Sequence, residues 1–226
     1  MPEDFTFSVR CHQDLTHKIG LKPLDSAYEV LGQMVTYCRI LGSPFLVLET
    51  PASYFLDKVS ISVAKDFFAS VCLNGVRLVW EIRAPITEQA LGLMRDFDII
   101  HCVDISKNKP SDWNDMGYTR IFGKGKHNIY QFTDQELLEI DKNASESKVK
   151  VVALSYHGAR MSTDALRFAQ FKKTGIFLPV TAYVGLDSAR AVLSEDAVFP
   201  SSKQLLISDQ GWKVIDLTIE KRVHLS

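Results

Sequence analysis

The sequence lacks several features that would place it in a specialised class. No apolar run approaches about eighteen residues, so no transmembrane helix is expected. Its four cysteines, Cys11, Cys38, Cys72 and Cys102, include no Cys-x-x-Cys pair, and they read as reduced thiols of a cytoplasmic protein. Neither sign of charge dominates: 26 Lys+Arg stand against 27 Asp+Glu, a formal charge of −1. That balance argues against a whole-protein polyanion binder, although a local basic patch stays open. The opening Met1-Pro2-Glu3-Asp4 is acidic and then alternates, unlike a secretory signal. No Gly-x-Gly-x-x-Gly follows the first strand-like run, which removes weight from a dinucleotide-binding sheet. There is no Gly-x-Ser-x-Gly, no His-Glu-x-x-His and no His-x-x-x-His. Nucleophilic catalysis and a local metal motif therefore have no signature here.

What remains is an ordinary globular composition: 226 residues, 46% hydrophobic and 23% charged. Strand-like and helix-like segments alternate. Strands are predicted at Phe5–Arg10, Phe45–Leu48, Arg77–Arg83, Ile99–Asp104, Tyr118–Phe122 and Lys150–Ser155. Helical spacing of apolar residues fills 24–41, 57–73, 88–96, 134–143 and 162–173. Thr87 and Thr133 are expected N-caps, the latter with Glu136 completing a capping box. Strands separated by helices imply βαβ units and a parallel sheet. Six such repeats suit a doubly wound sheet or most of a (β/α)₈ barrel. Residues 185–226 differ: helices near 187–195 and before Gln210-Gly211 precede a hairpin of 213–218 with 222–225. Five Lys+Arg against six Asp+Glu in that stretch give it no electrostatic case for nucleic acid.

Pro2-Glu3-Asp4-Phe5-Thr6-Phe7-Ser8-Val9-Arg10, followed by Gln13-Asp14-Leu15-Thr16-His17, is similar to the P-x-D-F-x-F-x-V-K and T-H segment of the YecE-like family. This is the domain of unknown function numbered 72, and its archaeal branch is the nearest match. Glu81-Ile82-Arg83 resembles that family's E-x-R strand, and Asp104 sits where its next strand ends in aspartate. Tyr118-Thr119-Arg120-Ile121-Phe122-Gly123, with Tyr130 beyond, resembles its Y-x-R-x-H-G and Y stretch. Asp164-Ala165-Leu166-Arg167-Phe168 is similar to the helix after its last strand. The resemblance spans about residues 2–175. It implies a TIM-like barrel of unestablished activity, incomplete at the N-terminal end because the family's first two strand units have no counterpart. On this reading residues 1–180 form the barrel domain and 181–226 an extension. An open barrel exposes strand edges, which the extension or a second copy of the chain would cover. Phe122, Glu49 and Ser155-Tyr156-His157 depart from the family, which has histidine, glutamine and two asparagines at those places.

In such barrels, sites lie at the C-terminal strand ends. These ends carry Arg10, His12, Gln13, Glu49, Glu81, Arg83, Asp104, Arg120 and His157. From Gly117 to Thr133 there is no acidic residue, while Arg120, Lys124, Lys126 and His127 alternate with Gly123 and Gly125. Glycines let backbone N–H groups approach an anion, and the lysines supply charge. An anionic small ligand held by Arg120, Lys124 and Lys126 is therefore expected, with Arg10, Arg83, Gln13, His17, Glu49 and Tyr130 lining the site. Glu81, Asp104 and His157 are the candidate catalytic groups for phosphoester hydrolysis or sugar isomerisation. Glu49, Glu81, Asp104 and His157 would together suit a divalent metal, though no local motif supports one. Cys11, between Arg10 and His12, would be the one thiolate candidate. A non-catalytic binding or scaffold protein is the competing class, and nucleic-acid processing a more distant one. Trp113, in the polar loop 106–115, is the one aromatic expected to be partly exposed, whereas Trp80 is expected to be buried.

Overall fold

The apolar run at Phe45 sets the first sheet. In the computed structural model, which describes residues 5–54, 56–113, 115–147 and 149–226, β1 (Ser8–Arg10), β2 (Phe45–Thr50), β3 (Arg77–Ile82) and β4 (Ile100–Cys102) lie side by side in chain order. All three pairings are parallel, with Val9 opposite Leu46, Leu46 opposite Leu78 and Val79 opposite Ile100. Every residue of β2 is buried, as a strand covered on both faces requires.

Period two sorts the side chains into two cores. Leu46, Leu48, Leu78 and Trp80 pack with the helices α1 (Asp25–Leu41), α2 (Lys58–Ala69) and α3 (Glu88–Asp96). The alternate residues Phe45, Val47 and Val79 join Ile100, Cys102 and Tyr118 in a second cluster. In α1, Ala27, Leu31, Met34, Val35 and Cys38 are buried, a stripe at helical spacing. Gly42 ends that helix at φ 60°, its N–H meeting the carbonyls of Arg39 and Cys38, a left-handed conformation that glycine adopts without a Cβ penalty. Trp80 is fully buried, and its Nε1 donates to Thr50 Oγ1 at 3.0 Å.

The chain groups into two compact units: Met1–Val103, Pro110–Tyr118 and Val149–Ala153 form the first; Asp104–Lys109, Thr119–Lys148 and Leu154–Ser226 form the second. β5 (Met116–Ile121) and β6 (Val151–Tyr156) form a two-stranded sheet. The second unit contains α4 (Asp134–Ser145), α5 (Met161–Thr174), α6 (Leu186–Leu193) and α7 (Lys203–Gln210). It ends in the antiparallel hairpin of β7 (Val214–Asp216) and β8 (Arg222–His224). The expected extension, 181–226, lies in this unit together with α4 and α5.

The structure corrects several expectations. β1 begins at Ser8 rather than Phe5, α2 ends at Ala69 rather than near residue 73, and β4 is confined to three residues. A barrel needs an unbroken ring of strand pairs. Among the described residues no sheet closes on itself: the pairing runs from β1 to β4 and resumes separately between β5 and β6. The strand content and parallel order are those expected, and the closure is not seen.

The predicted caps are present. Thr87 Oγ1 accepts from Ala90 N, and Thr133 and Glu136 form a reciprocal capping box at the start of α4. Asp57 caps α2 by accepting from Ser60 N at 2.8 Å, a cap the sequence pattern did not single out. Replacing Thr133 with alanine removes the acceptor for Glu136 N and is expected to lower unfolding stability by about 1 kcal/mol. Chemical denaturation should show this as a lower midpoint with an unchanged slope.

Candidate functional site

Four nominated residues meet in the first unit. Glu49 and Glu81 are direct neighbours in the β2–β3 register. They continue the parity of Val47 and Val79, and so lie on the sheet face away from the helices. Two like charges placed side by side repel, and arginine relieves this. Arg10 Nη2 lies 2.9 Å from Glu49 Oε2, Arg83 Nη2 2.8 Å from Glu49 Oε1, and Arg83 Nε 3.5 Å from Glu81 Oε1. The Glu49 side chain is only 3% exposed, while those of Arg10 and Arg83 are 56% and 47% exposed. A buried carboxylate thus anchors two guanidinium groups that remain open to solvent. Each guanidinium has five N–H donors in a fixed fork, so binding one carboxylate does not exhaust it.

The neighbouring candidates are placed differently. Gln13 is exposed and immediately precedes a π-helical turn, Asp14–Ile19. His17 is exposed in that turn and shares a 2.8 Å hydrogen bond with Thr16 Oγ1. His12 Nδ1 accepts from Asp14 N at 3.3 Å. Cys11 is no thiolate: burial pushes its thiol up to about 12. Trp113 is partly exposed, as expected, and its ring lies against Gly117, where a Cβ would come within 2.4 Å of it. With Met94 and His101 it helps line a cleft of about 240 Å³. Burial lowers the pKa of His101.

The remaining candidates lie in the second unit, in two groups. In the first group, Arg120 Nε donates to His157 Nε2 at 3.2 Å, and Ser155 Oγ is 2.9 Å from the same nitrogen. Phe122 stacks on the His157 ring with centroids 5.3 Å apart, and the Arg120 guanidinium lies 5.1 Å from the Phe122 centroid. Asp104 serves the backbone here. Its Oδ1 accepts from Ser106 N and Oγ, and its Oδ2 from Phe122 N at 3.0 Å. In the second group, Glu136 Oε1 accepts from Tyr130 OH at 2.5 Å and from Lys124 Nζ at 2.9 Å, and its Oε2 is 3.4 Å from His224 Nε2.

Within the expected glycine–lysine anion cradle, Lys124 is thus paired with a carboxylate of the chain itself. The acidic partner of Lys124 comes from α4, outside the acid-free stretch. A Cβ at Gly123 would meet the Tyr130 ring at 2.5 Å, and one at Gly125 would meet the Ile129 carbonyl oxygen at 1.9 Å. These glycines admit close packing by the chain itself. Lys126 is exposed in the short 3₁₀ turn Lys126–Asn128. Among the described residues no group of three or more His, Cys, Asp and Glu is placed to hold an ion.

Sequence reasoning missed two features. One is a buried chain of alternating charge: Asp164–Arg167–Asp134–Arg222–Asp216, with contacts of 3.0, 2.6, 2.7 and 2.8 Å. Burial pushes Asp164 up to about 6, although Arg167 and the Phe132 N–H oppose the shift. The other is the Ser155–His157 contact. Two residues apart in extended backbone share a face, so the Ser-x-His spacing was the available signal.

These observations define an α/β protein whose parallel sheet runs in chain order, with arginine–carboxylate pairs at its C-terminal strand ends. Solved structures share the fold. A DUF72 family protein from Thermotoga maritima aligns with a TM-score of 0.59 at 19% identity, over 76% of this chain and 74% of that one. A DUF72 family protein from Enterococcus faecalis aligns with a TM-score of 0.56 at 12% identity, over 78% and 77%. This is the same family, the domain of unknown function numbered 72, that the motifs resemble. No family model and no curated protein matches the sequence. Among the described residues no helix is long and apolar enough to cross a membrane, and no cysteine is joined in a disulfide.

Glu136 gives a pH prediction. Burial would raise its pKa, but hydrogen bonds from His224, Tyr130, the Thr133 backbone and Lys124 outweigh it and hold the carboxyl well below the usual glutamate range. A depressed folded-state pKa adds stability that is complete above the unfolded value and lost as pH falls through the folded one. Stability should therefore decline on acidification below about pH 4.5. Glu136→Gln should flatten that limb and cost about 1–3 kcal/mol at neutral pH. Denaturant titrations across pH 3–7 would check both effects.

Proposed function

We propose that the first unit binds an anionic small molecule, a phosphorylated metabolite by class, at the C-terminal ends of β1, β2 and β3. The carrying observation is the Glu49 carboxylate, only 3% exposed and bridged to Arg10 and Arg83, which stay about half exposed. Arginine forks match phosphate and carboxylate oxygens in paired hydrogen bonds. Glu49 spares the two side chains the entropy of being ordered at the moment of binding. Relative to the expectation from composition, the anion is received by Arg10 and Arg83, whose forks keep N–H donors beyond those given to Glu49, rather than by the point charge of Lys124, which pairs with Glu136. We further propose that residues 1–180 form a TIM-like barrel of the DUF72 type, incomplete at its N-terminal end, with β1–β4 as one arc and 181–226 as an extension; the chain-order parallel pairing and the shared fold support this. Phosphoester hydrolysis or isomerisation of a sugar phosphate is the chemistry that suits Glu81 beside such a ligand.

One observation favours a second reading, a non-catalytic binding protein. Glu49 and Glu81, which a catalyst would hold ready for proton transfer, are both paired with arginine. Thermal unfolding in rising concentrations of inorganic phosphate tests the binding site. Ligand that binds the folded state alone raises the midpoint by mass action. The midpoint should climb for the natural chain, climb less for Arg10→Gln and stay flat for Arg83→Gln. A flat response of the natural chain up to about 100 Kd of a typical weak phosphate site, ~100 mM, refutes the proposal. Glu81→Gln separates the two readings: turnover of phosphoester or sugar-phosphate substrates vanishes in the catalytic case. In the binding case the phosphate response survives, with a stability cost of about 1–3 kcal/mol.

A further inference from the structure

The second unit carries a serine–histidine hydrogen bond that takes no part in the proposed anion site. Ser155 and His157 sit at the C-terminal end of β6, two residues apart and therefore on one face, while Tyr156 between them packs near Phe132 and Phe168. The His157 N–H donates to Ile121 O at 2.8 Å, which fixes the strand end. Ser155 Oγ lies 2.9 Å from His157 Nε2, and Arg120 Nε lies 3.2 Å from the same nitrogen.

The chemistry of arginine settles the direction of both bonds. A guanidinium donates and never accepts. His157 Nε2 must therefore be unprotonated, with the ring proton on Nδ1. The serine hydroxyl, bonded to that same lone pair, must be the donor. A serine that gives its proton toward an imidazole nitrogen at 2.9 Å has the nucleophile–base geometry of acyl transfer. Phe122 stacks on the ring and limits its rotation. Neither Ser155 nor His157 is fully buried.

We propose that Ser155 is a nucleophile and His157 its general base, acting on small carboxylic esters. In the first step Ser155 Oγ attacks the ester carbonyl carbon and its proton passes to His157 Nε2. The Arg120 N–H loses its acceptor in that step and turns to the oxygen anion that has formed. The carbon–oxygen bond to the alcohol then breaks, and the leaving alkoxide takes the proton from His157. Water, deprotonated by His157, cleaves the acyl-serine; the acid leaves and the serine hydroxyl is restored. Arg120 is a positioning residue in the resting site and a charge stabiliser afterwards.

An alkyl fluorophosphonate tests this on the full natural chain. Attack by Oγ forms an oxygen–phosphorus bond, fluoride leaves, and the serine proton goes to His157. Peptide mass spectrometry should find one adduct per chain, on Ser155, absent from Ser155→Ala. His157→Gln should label at least about tenfold more slowly, since a positioned general base contributes at least that much. A natural chain that is folded by circular dichroism and carries no adduct on Ser155 overturns the proposal. So does an unchanged labelling rate in a folded His157→Gln variant, because the serine would then merely hold the ring. If that variant does not fold, the natural chain and Ser155→Ala decide alone. These outcomes are independent of the phosphate response, which belongs to the other unit's arginines.

Discussion

Glu49 is the next-to-last residue of a strand in which every residue is buried, and its carboxylate lies where the strand register puts it. Removing an ionised carboxylate from water costs several kcal/mol even after relaxation. Donors must therefore reach it from neighbouring strands, and two arginines do. The direction of dependence matters. The strand core fixes the glutamate, the glutamate fixes the arginines, and the exposed guanidinium edges follow from both. A lysine in either place would leave a single mobile point charge where the structure has a planar fork.

The same constraint organises the second unit, with the partners drawn from farther along the chain. Asp216 is almost wholly buried and collects the N–H groups of Val180 and Thr181, the Thr181 hydroxyl and Arg222 Nε. Lys213 is fully buried, with Asp196 at 2.5 Å and Glu195 at 3.4 Å. Asp134 takes Arg167 on one oxygen and Arg222 on the other. Charge alternates along this series, so each member answers the desolvation of the next. Losing one member strands its neighbours, which is why such groups hold a unique arrangement more than they add net stability.

Local rules were readable in the sequence and distant pairings were not. Apolar runs and helical stripes located every strand and helix of the first sheet, because burial of one face imposes its period on nearby residues. Thr87, Thr133 and Glu136 were readable as caps because their partners lie within three residues. Of the candidate site, Arg10, Glu49, Glu81 and Arg83 were nominated from strand ends, and the structure brings them together. Lys124 misled: its acidic partner stands twelve positions away on α4, beyond the segment whose lack of acid made it conspicuous. Asp134 and Arg222 are 88 positions apart, and no spacing rule reaches that far. Ser155 lies in no glycine-flanked turn, and strand alternation alone sets it beside His157.

The terminal hairpin has a consequence for the order of assembly. Val214 N donates to Gln131 Oε1, Arg222 donates to Asp134, and His224 meets both Tyr130 and Glu136. Residues 130–136 thus wait for partners that are made some ninety residues later. Because α4 and α5 precede the hairpin in the chain, Asp134 and Glu136 are synthesised before these partners. The second unit reaches its final hydrogen bonding only when the hairpin has left the ribosome. Its final hydrogen bonding therefore depends on strands far along the chain, whereas the first sheet completes its four strands from residues 8–102.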